Sequence, residues 1–198
     1  MSFPLLTIDV ESGGCQVTRH PLIAIGVDFR LVEPSRQLGS NNKRIFRFPF
    51  DIKDFEPRCM EEFWSKNMDK LEKLKALPIS TIADFAQYVD ELDAKYPDLV
   101  IMADNPTFDV GFINYLYDRD LNRKPLQYRA DGKYRIIVDQ NSYLWATMPE
   151  LKDPWVWDST VIKKFNLQLT SVHDHMPDND AEHIADMFMA VYQKRSAF

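Results

Sequence analysis

The chain has 198 residues, of which 45% are hydrophobic and 13% aromatic, enough apolar material for a buried core and the usual length of one domain spanning residues 1–198. A formal net charge of -6, from 30 acidic and 24 basic residues, argues against a protein that grips a nucleic-acid duplex through bulk electrostatics. No run of about 18 apolar residues is present to span a bilayer, and Met1 to Leu6 lacks the basic flank and long apolar stretch of a signal peptide, so a soluble, intracellular protein is expected. Cys15 and Cys59 stand apart from any Cys-x-x-Cys pair or clustered histidine and read as reduced, incidental thiols.

The first element is a buried strand, Leu5 to Ile8, running into Asp9-Val10-Glu11 and closed by the turn residues Ser12-Gly13-Gly14. Strand side chains repeat every two residues, so Asp9 and Glu11 project from one face. Leu22 to Leu31 and Arg44 to Phe50 are further strands, separated by a polar turn over Gly39 to Asn42, and the three suggest an antiparallel meander. Glu56 to Leu77 carries a helical pattern with Met60, Phe63, Trp64, Met68, Leu71 and Leu74 on its apolar face and Pro78 as its stop. Ser80 reads as the N-cap of a second helix, Thr81 to Lys95.

Leu99 to Ala103 is a short, wholly apolar run, as expected of a central strand, and it delivers the chain to Asp104-Asn105-Pro106-Thr107-Phe108-Asp109 at the start of a third helix. Tyr134 to Val138 is a fifth strand, Asn141 to Thr147 and Ser159 to Phe165 are short helices, and Asp180 to Arg195 closes the chain as a helix. Strands first, then alternating helix and strand, imply an α/β fold with a five-stranded mixed sheet, three antiparallel strands followed by parallel ones, covered by helices on its faces.

Chemistry concentrates at the edges of these elements. Paired carboxylates on one strand are the ligand type that hard divalent cations such as Mg²⁺ or Mn²⁺ require, and a site with two such ions hydrolyses phosphodiesters. Asp109 follows a buried strand at its carboxyl end, where open α/β sheets place ligands. His175 lies on a loop and Asp180 at a helix start; a histidine titrating near neutral pH suits proton abstraction from water. His173 and Asp178 share the spacing of His175 and Asp180. Ala181, Ile184, Ala185 and Phe188 follow Asp180 at helical intervals and favour the second pair. His183 reads as structural or surface, and Trp64 as core. Carboxylates devoted to cations would be largely neutralised, which softens the argument from net charge.

Asp9-x-Glu11, Asn105-x-x-x-Phe108-Asp109 and His175-x-x-x-x-Asp180-Ala181, in this order over most of the chain, resemble the motifs of the DEDDh 3′-to-5′ exonucleases, the proofreading-exonuclease type with an RNase H-like fold. The resemblance implies an RNase H-like three-layer architecture in which Asp9, Glu11, Asp109 and Asp180 bind two Mg²⁺ or Mn²⁺ ions and His175 is the general base. It implies hydrolysis at single-stranded DNA or RNA 3′ ends with release of nucleoside 5′-monophosphates. Ser12 stands where many members carry threonine beside the terminal nucleotide. Ser12, Asn105 and Phe108 are the candidate substrate contacts, with Phe108 also a core anchor. Glu61-Glu62-Phe63-Trp64 is similar to a segment of small stand-alone phage, viral and bacterial exonucleases.

Lys43, Arg44, Arg47, Arg129, Lys133, Arg135, Lys163 and Lys164 are basic candidates for backbone phosphate, while the aromatic stretch from Trp145 to Trp157 reads as packing. The expected assembly is a monomer or homodimer. Two rival readings are a catalytically silent nucleic-acid-binding module of the same fold and an exoribonuclease or oligoribonuclease rather than a DNA enzyme.

Overall fold

A computed structural model describes residues 3–33, 42–147 and 158–196. Five strands form one sheet: β1 (Phe3–Ser12), β2 (Leu22–Val32), β3 (Lys43–Arg47), β4 (Val100–Ala103) and β5 (Ile136–Asp139), in the order β3-β2-β1-β4-β5. The β1–β2 and β2–β3 pairs are antiparallel, and β1–β4 and β4–β5 are parallel. The expected mixed sheet is therefore present, with the antiparallel meander on one side of β1 and the parallel strands on the other. The polar turn expected over Gly39 to Asn42 and the aromatic stretch beyond Thr147 fall mostly outside the described residues.

The two faces of β1 separate two kinds of contact. Leu6, Ile8 and Val10 join one core with Phe85 and Val89 of α3 (Ile82–Lys95) and Phe112, Ile113 and Leu116 of α4 (Pro106–Leu121). Leu5, on the other face, packs with Ile184, Phe188 and Met189 of α7 (Pro177–Ser196). Each such fully buried large apolar side chain contributes roughly 1.5–3 kcal/mol from leaving water. The period of two thus sends the apolar residues into the α3–α4 core, while Thr7, Asp9 and Glu11 follow Leu5 on the α7 side.

Several boundaries differ from the sequence expectations. The segment from Glu56 to Leu77 is three pieces, α1 (Pro57–Glu62), a 3-10 turn (Trp64–Lys66) and α2 (Met68–Ala76). Phe63 breaks the helix with φ -120° and ψ -67°, the Asn67 side-chain amide donates to the Phe63 carbonyl, and the fully buried Trp64 indole N–H donates to the Ser12 carbonyl at 2.9 Å. The turn that anchors Trp64 is incompatible with continuing the i to i−4 ladder.

The cap of α3 is Thr81, one residue later than expected. Its hydroxyl accepts from the Asp84 N–H and its own N–H donates to the Asp84 carboxylate, a reciprocal capping box, while the Ser80 N–H donates instead to the Arg47 carbonyl. Helix α7 starts at Pro177 rather than Asp180, because proline's fixed φ and missing donor suit a first helical position. The remaining helices are α5 (Gln140–Thr147) and α6 (Asp158–Phe165). Among the described residues, no helix is long and apolar enough to cross a membrane.

Candidate active site

Asp9 and Glu11 emerge from the carboxyl half of β1 on the α7 side, and a register shift between Glu11 and Ser12 ends the strand beside them. Parallel strand β4 delivers Asp104 next to them, and α4 begins directly afterward. Asp109, in the first turn of α4 and only 2% exposed, accepts a hydrogen bond on Oδ1 from the Val10 N–H at 2.9 Å. That bond staples the helix start to β1 between the two strand carboxylates.

The fourth carboxylate arrives through α7. Gly26 lies across from Asp9 in the β1–β2 register, and a Cβ on Gly26 would stand 1.9 Å from the Pro177 carbonyl carbon. Only glycine lets the first turn of α7 approach β2 this closely. The Thr7 hydroxyl donates to the Ala181 carbonyl at 2.7 Å, fixing α7 on β1 as well. Asp180, 4% exposed, is thereby set against Asp9 and Glu11.

A buried ionic cluster holds the same helix further along. Arg30 donates through Nε to Asp28 at 2.6 Å, through Nη1 to Asp186 at 2.5 Å, and through Nη2 to the Glu182 carbonyl at 3.3 Å. Asp186 also accepts from the Thr170 hydroxyl and the Ser171 N–H, both at 3.1 Å, tying down the segment that leads to the histidines. The i, i+2 pair Asp28 and Arg30 inside an apolar strand was the sequence signal for this cluster, and Gly26 in the same strand was the signal for the close approach. Both lie outside the Asp9-x-Glu11, Asn105-x-x-x-Phe108-Asp109 and His175-x-x-x-x-Asp180 motifs.

Two groups of three carboxylates, each with oxygens within 4.8 Å of one another, result from this packing: Asp9, Glu11 and Asp180, and Asp9, Asp104 and Asp109. Asp9 belongs to both. Burial pushes the Asp9 carboxyl well above the ordinary range, and Glu11, Asp109, Asp180 and Asp104 push it further. Glu11 is raised by burial and then by Asp180, Asp109 and Asp104. Asp109 is raised by burial and Asp104 against the lowering effect of backbone N–H donors, and Asp180 by burial against the two neighbouring histidines. Asp109 Oδ2 is buried and makes no hydrogen bond among the described residues. Desolvated, mutually repelling carboxylates are costly unless a cation joins them, and an all-oxygen donor set suits Mg²⁺ or Mn²⁺. The residues therefore fit hard divalent ions.

Both candidate histidines reach Asp180. His173 Nε2 lies 3.2 Å from Asp180 Oδ2 and His175 Nδ1 lies 3.9 Å from it, and the three residues form a further group of potential ligands. The Asp180 Oδ1 atom accepts from the N–H groups of Asp174 and His175, so the loop wraps around this carboxylate. Lys70, from α2, donates to Asp174 at 3.1 Å and braces the loop from outside. His175 adopts left-handed backbone, φ 61°, and packs edge-on against Phe63 with ring centres 4.9 Å apart. Burial draws its pKa below the usual value, opposed by Asp180 and assisted by His173. His183 is 6% exposed with Nδ1 3.3 Å from the Ser171 hydroxyl, the structural position among the two that the sequence allowed.

Beside the carboxylates a cleft of about 370 Å³ is lined by Glu11, Ser12, Cys59, Phe63 and Phe108, among others. Phe108 serves the core too, meeting Phe112 edge-on at 5.2 Å. The Ser12 hydroxyl donates to the Gly14 carbonyl at 2.7 Å and so shapes the turn at the cleft. Asn105 is exposed at the N-cap of α4, its carbonyl accepting from the N–H groups of Phe108 and Asp109.

The basic candidates are mostly engaged elsewhere. Arg135 is buried in an ion pair with Asp93, Arg129 donates to the Pro97 carbonyl and pairs with Asp131, Lys43 pairs with Glu182 at 2.8 Å, and Arg44 lies over the Tyr88 ring. Arg135 in particular is a core residue, because a guanidinium at 5% exposure needs a carboxylate partner and has one.

No family model matches the chain. Over 120 residues it is 26% identical to the 3′-5′ DNA exonuclease Cap18 of Escherichia coli, covering 61% of this chain and 60% of that relative's length. Among solved structures, it is similar to Pop2p of S. pombe in an Mg²⁺- and Mn²⁺-bound form, with TM-score 0.66, 15% identity, and 97% and 84% of the two chains covered. It is also similar to the nuclease domain of 3′hExo, a DEDDh family member bound to rAMP, with TM-score 0.60, 10% identity, and 98% and 92% covered. The structural likenesses establish the fold, and the sequence match covers 61% of the chain. The chain therefore has the fold of these DEDD-type nucleases and is similar in sequence to a 3′-5′ DNA exonuclease over about three fifths of that relative's length.

Proposed function

We propose that this protein is a metal-dependent 3′-to-5′ exonuclease that removes nucleoside 5′-monophosphates from single-stranded nucleic-acid 3′ ends. The observation that carries the reading is the convergence on Asp9 of two carboxylate groups beside the cleft lined by Phe63 and Phe108. Asp9, Glu11, Asp109 and Asp180 would hold two Mg²⁺ or Mn²⁺ ions. The chemistry supplied at these residues by such ions would be activation of water and neutralisation of phosphodiester charge.

The chain's own residues supply the rest. Val10 N–H orients the Asp109 carboxylate, and the backbone N–H groups of Asp174 and His175 orient Asp180. The half-buried His175, whose pKa burial draws below its usual value, is the group proposed to take the proton of an attacking water. Phe63 and Phe108 offer apolar surface for a terminal base, and Ser12, which lines the same cleft, and Asn105 are the further proposed contacts to the terminal nucleotide. The relative named a 3′-5′ DNA exonuclease supports the polarity, and the neighbour bound to rAMP leaves the sugar as the variable to be assayed.

The test uses purified protein with matched single-stranded DNA and RNA carrying free or blocked 3′ ends, in Mn²⁺, Mg²⁺ or chelator. Stepwise shortening from the free 3′ end, arrest by chelator and loss of turnover in a folded Asp109→Ala variant are expected. Turnover that survives Asp109→Ala, or oligonucleotide binding without metal-stimulated cleavage, would sink the proposal.

A further inference from the structure

Asp104 belongs to none of the motifs that the chain shares with the DEDDh exonucleases, yet its carboxylate joins those of Asp9 and Asp109 within 4.8 Å. It stands at the end of β4, the strand paired in parallel with β1, two positions before α4 begins. Its main-chain carbonyl accepts from the Asn141 side-chain amide at 3.0 Å, so the backbone that carries the carboxylate is anchored to α5. A helix dipole, equivalent to roughly half a charge, would favour one acid near this helix start but cannot offset three converging carboxylates. The second observation is Asp109 Oδ2, on a side chain that is 2% exposed, with no hydrogen-bond donor among the described residues. A buried oxygen of that kind calls for a positive partner.

We infer that Asp104 is a further cation ligand, completing with Asp9 and Asp109 the position for one hard divalent ion. The inference rests on the reading of the carboxylate cluster as a metal site and deepens it. Without Asp104 that position would have two carboxylates, against three at the position formed by Asp9, Glu11 and Asp180. With Asp104 both positions have three. The number of charged oxygen ligands is a main determinant of divalent-ion affinity, so Asp104 should bring the weaker position toward the affinity of the stronger.

The test is a Mn²⁺ titration without nucleic acid, following free Mn²⁺ by its electron paramagnetic resonance signal, on wild type, Asp104→Asn, Asp104→Ala and Asp109→Asn. Wild type should bind two ions. Both Asp104 variants should bind one of them at least roughly tenfold more weakly and the other nearly as before, a loss of the size seen when a metal site loses a supporting group. In chelator the Asp104→Asn protein should melt no lower than wild type, because one of several crowded anions has gone; this separates lost binding from lost folding. Crystals grown with Mn²⁺ should place an Asp104 oxygen in the coordination shell, located by the anomalous signal of the ion. Unchanged Mn²⁺ affinity in both Asp104 variants, or an ion held by Asp9 and Asp109 with Asp104 outside its shell, overturns the inference and leaves the parent reading standing. Wild-type protein that binds no Mn²⁺ overturns both.

Discussion

Gly26 faces Asp9 across the β1–β2 ladder, and the space that a side chain at Gly26 would need is occupied by the Pro177 carbonyl at the start of α7. One missing Cβ therefore sets how close Asp180 comes to Asp9 and Glu11. Gly26→Ala should push the first turn of α7 off β2, costing on the order of 1–3 kcal/mol or more as overpacking and weakening Mn²⁺ binding together with turnover. Urea unfolding alongside a metal titration reads both effects. A variant with wild-type stability and metal affinity would show that the contact relaxes at no cost.

Arg30, paired with Asp28 on its own strand, ties β2 to α7 through Asp186, all three essentially buried. Arg30→Met removes the shared cation and leaves two buried carboxylates, so about 3–5 kcal/mol of stability should be lost. Replacing all three residues with apolar ones of similar volume should recover much of that loss, and denaturant midpoints of the single and triple variants would measure the difference.

His173 and His175 flank the same Asp180 oxygen. His175→Ala should lower kcat by about 10²–10⁴, the range for removing a general base, with KM changed much less. His173→Ala should retain the larger share of activity. The reverse ranking in single-turnover assays would reassign the base to His173.

The raised carboxyls of Asp9, Glu11 and Asp109 give a signed pH dependence. A carboxyl with a folded pKa above its unfolded value binds more protons in the native state, so its favourable contribution is complete below the unfolded pKa, near 4, and is lost as pH rises through the folded value. Metal-free protein should therefore lose stability from these groups as pH climbs above about 4. The gap in Tm between Mn²⁺-loaded and chelator-treated protein should widen over the same interval. Asp9→Asn should flatten the metal-free slope, and differential scanning calorimetry across that range would reveal it.

Local chemistry made much of this legible before the fold was known. The period of two put Asp9 and Glu11 on one face of β1, and the apolar run from Leu99 to Ala103 identified the strand that leads to Asp109. The mixed sheet could be anticipated because three consecutive strands precede the alternation of helix and strand, whereas the order β3-β2-β1-β4-β5 came only from the tertiary structure. The break at Phe63 was not legible, because the helical pattern from Glu56 to Leu77 continues through it. What interrupts the helix is the indole of Trp64 reaching the Ser12 carbonyl, a partner distant in the chain.

The sequence by itself determined which carboxylates stand at strand ends and helix starts, because alternation, helical spacing and capping act between neighbours along the chain. Only the tertiary structure decided that Gly26 admits α7, that both histidines reach Asp180, and that Asp104 converges with Asp9 and Asp109. Those relationships depend on how closely separate elements pack, and packing distance is set by the whole set of side chains between two backbones rather than by any local pattern.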